Sequence, residues 1–515
     1  MATEPQQRAY RSACPGCGAP VTFSSLASTH AVCGFCQSTI VREGDALRRI
    51  GKMAEVFDDY SALQLMAQGK LDSVNFTVVG RLQYKYEGGS WNEWLVALDD
   101  GTSASLSEDN GSFVWTRAQA NTRDNRRDNT LDLPKPEQWI VGNTTAINGK
   151  QFSVASVQEV ALMAAQGELP KLPPLGQKFY VVELRSAEAE VLSVDYSTTP
   201  AGLAVGRAVD LETLQLTGLR DLANATGQGG KEVAARQFNC PNCGSPVNVK
   251  LSGSKSITCG ACNSLIDLTL GIGGDLKHAE QDEPVKPLIA LGSLGTLQGK
   301  QWQIVGYQHR MGHEVGDEDE SFGWGEYLLF NAKAGFIFLV DSTDGWSIVK
   351  PATGAPTKRG TNAFAYLGTN YTLQYSYKAE TSYVAGEFYW QVQQGQITFN
   401  EDYASGKNLL SSEKAGKELT WSVGSKVDHT TIAAAFKIKD RDADFQRADV
   451  TPFAATGVGS LGVVGWIIIV VVIVILLSLM SRCSSSNCDP QRENCSTSRS
   501  SGGSYGGFSS GGGHK

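Results

Sequence analysis

From Cys14 to Val41 the chain contains no lysine, arginine, aspartate or glutamate. Phosphate backbones are held by clustered cations, so this stretch is poorly made for nucleic acid. The whole chain is acidic, with a formal net charge of −8 and a pI near 5.5. No global electrostatic case for nucleic acid exists. Other signatures are missing as well. The chain has no phosphate-cradling glycine loop and no nucleophile elbow. The acidic run HEVGDEDE (313–320) lacks the Asp-x-Asp-x-Asp-Gly frame of a calcium loop. No secretory signal is apparent, because MATEPQQRAYRSACPGC is polar and runs straight into cysteines. The body is therefore expected in a reducing compartment, where paired Cys-x-x-Cys turns bind metal rather than form disulfides.

Eleven cysteines divide into two sets of four and three in the C-terminal tail (Cys483, Cys488, Cys495). The sets are Cys14, Cys17, Cys33, Cys36 and Cys240, Cys243, Cys259, Cys262, each spaced Cys-x-x-Cys, fifteen residues, Cys-x-x-Cys. Four thiolates from two such turns close a tetrahedral shell, which predicts two structural zinc ions. Such a site contributes on the order of 10 kcal/mol to folding a module with almost no core. Gly18 and Gly244 suit the tight knuckles, and Pro15 and Pro241 stiffen them. His30 is surplus to a four-cysteine shell and is expected in a loop. A redox dithiol is the alternative use of Cys-x-x-Cys, but the repeated paired spacing is far more specific for metal. The second set has only Lys250 and Lys255 before its last cysteine. These neutral modules suit packing on a partner protein or on the chain's own body, and no nucleic acid is expected.

The repeat extends beyond the cysteines. Gly69, Leu71, Phe76, Val79 and Gly80 recur 226 positions on as Gly295, Leu297, Trp302, Val305 and Gly306. The chain is thus a tandem duplication of a zinc ribbon followed by a longer body. The expected parts are zinc ribbons at 10–42 and 237–270, β-rich bodies at 55–215 and 280–435, and a linker at 216–236. The fold class is mainly β, with barrel- or sandwich-like bodies. In FTVVGRLQYKY, Phe76, Val78, Leu82, Tyr84 and Tyr86 are predicted to share one strand face. Gly88-Gly89 turns the chain into a partner strand, WNEWLVALDDG, which ends at Asp100-Gly101. Residues 46–68 are predicted to be helical. Trp91, Glu93 and Trp94 map onto Trp324, Glu326 and Tyr327, with seven residues inserted between the paired strands of the second copy. Insertion is tolerated at a hairpin tip. The charge run 123–129 (RDNRRDN) is expected to be a solvated loop.

No catalytic set emerges. Glu93 and Glu326 recur beside aromatic residues, but no histidine or second carboxylate recurs with them to share acid–base work. The repeated Glu168 and Glu387 pose the same question. A strand-edge or packing role is the simpler expectation for all four. The acidic insertion could attract a small cation.

Residues 457–480 carry no charge and are long enough to span a bilayer as a helix. Four cations lie within 20 residues before this segment and three within 20 after it. That is a weak orientation signal, and thiolate survival argues for a cytoplasmic body. The Gly/Ser-rich tail, 481–515, is expected to be disordered and outside.

LQLMAQGKLDSVNFTVVGRLQY followed by WNEWLVALDDG, and LIALGSLGTLQGKQWQIVGYQ followed by WGEYLLF, resemble a bacterial family known as domain of unknown function 4178. The resemblance covers most of 55–215 and 280–430. It implies tandem bodies joined to zinc ribbons and a membrane span, often encoded beside polyamine-biosynthesis-like enzymes and membrane-stress proteins. It assigns no activity and no catalytic residue. The expected function is a non-enzymatic, membrane-anchored scaffold or adaptor with protein partners at the cytoplasmic face of a bacterial inner membrane. A sensor of a small cationic metabolite and an enzyme of unknown reaction are the alternatives.

Overall fold

The computed structural model describes residues 10–447 apart from 25–27, 44–45, 55–60, 88, 110–111, 120–132, 221–235, 251–253, 270–275, 282–284, 315–316, 332–333 and 439–440. The expected membrane span, the tail and the charge run 123–129 lie outside the described residues. Among the described residues no helix is long and apolar enough to cross a membrane.

Each body is an antiparallel ladder that closes on itself. In the first, Val74–Tyr86, Gly89–Leu98, Ser103–Asp109 and Ser112–Gln119 form one meander. Lys150–Leu169, Lys178–Arg185, Glu190–Asp195 and Gly202–Val209 form another. Two seams join them: Ser112–Gln119 pairs with Gly202–Val209, and Val74–Tyr86 pairs with Lys150–Leu169. The second body repeats the plan. Lys300–Glu314, Asp317–Asn331, Gly335–Ser342 and Gly345–Pro351 join Thr369–Phe388, Ile397–Ser405, Asn408–Ala415 and Glu418–Val427. Closure leaves these strands no free edge.

The duplication has a second level. A short hairpin leads into each of the four meanders, and both central residues of its turn are left-handed. They are Asp72-Ser73, Asn148-Gly149, Gln298-Gly299 and Leu367-Gly368. Such turns match the twist of the strands they connect. The preceding residues are held alike in three of the four. The N–H groups of Met66, Gly142 and Gly292 donate to Val78, Val154 and Ile304 carbonyls at 2.7–2.8 Å. Each body is therefore two similar half-barrels.

Three expectations need correction. Residues Ala46–Lys52 form a strand, not a helix, paired with Ser38–Glu43. The Leu47–Ile50 spacing suits a helix, but the ladder supplied by the neighbouring strand wins. His30 opens the strand His30–Val32 rather than sitting in a loop, because that strand pairs with the body. Finally, the face predicted to run unbroken from Phe76 to Tyr86 switches sides. The register shifts between Val78 and Gly80. Phe76 and Val78 pack with Trp94, whereas Leu82, Tyr84 and Tyr86 pack with Trp91. The second body has the same shift between Ile304 and Gly306. A glycine inside a strand is where such a bulge is expected.

The inserted acidic segment behaves as a hairpin tip. Lys300–Glu314 and Asp317–Asn331 stay paired out to Glu314 and Asp317. A helical plug follows the last strand of each body. In the first, Leu214 is buried beside Gly69. In the second, helix His429–Ala435 is capped by Asp428, which accepts from the Thr430 N–H at 2.8 Å. It brings Phe436 against Gly295, where a Cβ would lie 2.6 Å from the ring.

Candidate metal centres

Each cysteine set folds into two knuckles facing one another. Cys14 N–H donates to Ala19, and Gly18 N–H donates back to Cys14, at 2.7 and 2.8 Å. Gly18 needs φ +77°, which explains the glycine after Cys17. Gln37, Gly244 and Asn263 hold the same left-handed place in the other three knuckles. The four sulfurs of each set lie within 4.8 Å of one another. Cys14 and Cys36 are 3.7 Å apart, as are Cys17 and Cys33, and the second set gives 3.7 and 3.8 Å. A tetrahedron with Zn–S bonds of about 2.3 Å has edges of about 3.8 Å. All eight predicted ligands are thus brought together in two closed four-sulfur shells able to bind a metal ion.

A serine follows each set at the same place. Ser38 Oγ lies 3.1 Å from Cys36 Sγ, and Ser264 Oγ lies 3.3 Å from Cys262 Sγ. A hydroxyl beside sulfur favours the thiolate. Ser38 and Ser264 draw Cys36 and Cys262 each down to about 6. His30 contributes no ligand. Its Nδ1 is 2.8 Å from Thr29 Oγ1.

The modules are built into the bodies through the end of each body's longest strand. His30–Val32 pairs with Gly167, Glu168 and Leu169, and Ser256–Thr258 pairs with Glu387 and Phe388. The repeated glutamates then find their role. Glu168 Oε1 accepts from the Ser24 N–H at 2.7 Å. Glu387 Oε1 accepts from the Lys250 N–H at 2.9 Å, and its Oε2 accepts from Ser254 Oγ at 2.8 Å. Both carboxylates are buried and tie the loop between the knuckle pairs to the barrel.

The other repeated acids diverge. Glu326 is fully buried and accepts from Trp324 Nε1 at 2.6 Å and from Gln308. It shares buried Arg310, 3.9 Å away, with Glu413 at 2.9 Å. Glu93 is only half-buried. The register puts Tyr84 where Arg310 stands, so the first body has no cation at this position. The first body has its buried guanidinium, Arg81, on the opposite face. There it donates to Asn92 Oδ1 and lies 4.7 Å from the Trp94 ring centroid. Arg310 and Glu413 carried no motif and were missed in the sequence; an arginine alternating with aromatics inside a strand was the available signal.

A family model described as Domain of unknown function (DUF4178) matches residues 67–211 and 290–429, one segment in each barrel. The chain belongs to this family, in tandem copies. No curated protein and no solved structure matches it.

Proposed function

We propose that the chain is a membrane-anchored scaffold or adaptor. It would carry zinc in both cysteine shells, be anchored in a bacterial inner membrane by residues 457–480, and engage protein partners at the cytoplasmic face through its zinc modules and barrels. The supporting observation is that each shell already has four thiolates and is joined to its barrel by the same buried glutamate. A closed shell leaves no coordination position for substrate, which suits a structural metal. Thiolates suit zinc, and the neutral modules suit protein surfaces better than nucleic acid.

Elemental analysis of the purified full chain is expected to give two zinc ions per chain; folded, metal-free protein would overturn the zinc assignment. Affinity capture from detergent extracts is expected to enrich specific proteins over a control bearing residues 457–515 alone. No enrichment over that control would count against the adaptor.

A further inference from the structure

The two barrels meet along a short seam. Ser156 pairs with Glu418, Ala355 N–H donates to Ser186 at 2.9 Å, and Arg185 Nη1 donates to the Thr353 carbonyl at 3.2 Å. The approach is close: a Cβ on Gly354 would lie 2.8 Å from the Ser186 carbonyl. Beside this seam is a cleft of about 110 Å³, lined from both barrels. A single water needs roughly 10–15 Å³. Phe113 and Trp421 are its aromatic lining residues, and Glu183, Arg185 and Glu418 are its charged ones.

Glu183 is the unusual group. It is 2 % exposed. One carboxylate oxygen is paired with Arg185, but among the described residues no protein donor reaches Oε2. A buried carboxylate oxygen without a donor is costly. Its counterpart in the second barrel shows that the position itself does not require this. Register places Asp402 there, and Asp402 accepts from Tyr377 Oη at 3.0 Å and Ser411 Oγ at 2.7 Å. Of these two counterparts, the one with an oxygen left over is the one that lines the cleft between barrels.

We propose that this cleft binds a small organic cation, a primary ammonium carried on an aromatic or branched apolar body. Two carboxylates and one guanidinium face the cleft. Arg185 is already engaged by Glu183 and the Thr353 carbonyl. An anion would therefore meet a net negative site. An ammonium brings the missing donor, and its apolar body lies between Phe113 and Trp421. Apolar walls with a few placed polar groups are the usual make-up of a small-molecule site. The proposal is independent of the adaptor reading, since it concerns the face between barrels and not the anchor or the metal modules.

The test is titration of the metal-loaded full chain with phenethylammonium chloride, followed by calorimetry and tryptophan fluorescence. 3-Phenylpropionate and 2-phenylethanol serve as anionic and neutral probes. Saturable binding of the cation is expected, at least tenfold tighter than either other probe. Glu183→Gln should weaken it tenfold or more. Ala208→Leu, a partly exposed cleft position, should block it with an unchanged circular dichroism spectrum, and it decides the matter if Glu183→Gln does not fold. Equal binding of cation and anion, wild-type binding by Ala208→Leu, or no saturation at millimolar probe would each overturn the proposal.

Discussion

Replacing Arg310 by methionine would leave two buried carboxylates without their cation. Arg310 Nη1 is 2.9 Å from Glu413 Oε2 and 3.9 Å from Glu326 Oε1, and all three side chains are at most 2 % exposed. At an effective dielectric of ~20, unit charges at these separations attract by about 6 and about 4 kcal/mol. Desolvation of the three groups offsets most of that attraction, so the pairs themselves stabilise little. Removing one partner is different, because the other charges stay buried. The expected loss is ~3–5 kcal/mol for Arg310→Met. Arg310→Met/Glu413→Met should regain part of it. The double variant deletes one orphaned charge, while Glu326 keeps its bonds from Trp324 and Gln308. The assay is urea unfolding of the metal-loaded full chain, reading the transition of the second barrel. A single-variant loss under ~1 kcal/mol, the size of an exposed ion pair, would refute the reasoning. So would strict additivity in the double variant.

The same cluster predicts a pH dependence. Burial raises the Glu413 carboxyl from 4.5 to about 7, against the pull of Arg310. A raised carboxyl stabilises the fold fully below its unfolded value and loses that contribution as pH rises through the folded one. Second-barrel stability should therefore fall between about 4.5 and about 7, with a smaller slope in Glu413→Gln; identical slopes would remove Glu413 as the cause. Gly167→Ala should destabilise more than Gly149→Ala by thermal melting. Both glycines have positive φ, a strain of about 1–3 kcal/mol for alanine. Only at Gly167 would the new Cβ collide, 2.3 Å from the Val79 carbonyl. Cys259→Ser should leave one bound metal ion per chain by elemental analysis; retention of both would show that its thiolate is dispensable.

The cysteine shells were legible because metal coordination fixes both residue type and spacing within one short segment. The hairpin of Val74–Tyr86 and Gly89–Leu98 was legible for a similar reason: its turn and alternation are local. Barrel closure was not, since the seam between Val74–Tyr86 and Lys150–Leu169 joins strands about half a body apart in the chain. The half-barrel repeat was hidden because a left-handed turn is a backbone state, and Asp72-Ser73 meets it without the usual Asn-Gly dipeptide. The bulge at Val79–Gly80 defeated a strict period of two. Glu168 and Glu387 were visible as repeated acids, but their partners lie 144 and 137 residues away.

Those two glutamates are best understood together with the glycines around them. A Cβ at Gly80 would lie 1.9 Å from the Glu168 carbonyl, and one at Gly306 would lie 2.8 Å from the Glu387 carbonyl. The bulge glycine thus lets the first strand press against the long strand where the docking acid stands. Its carboxylate is left to hold the metal module. If this is the coupling, Glu387→Ala should free the Lys250 amide and Ser254 hydroxyl without touching a sulfur. Hydrogen exchange over 246–258 should quicken in the metal-loaded full chain, while the ion count stays at the wild-type value. Unchanged exchange would mean that strand pairing at Ser256 and Ile257 alone holds the module. Loss of the ion instead would mean that the glutamate supports the shell itself rather than its attachment.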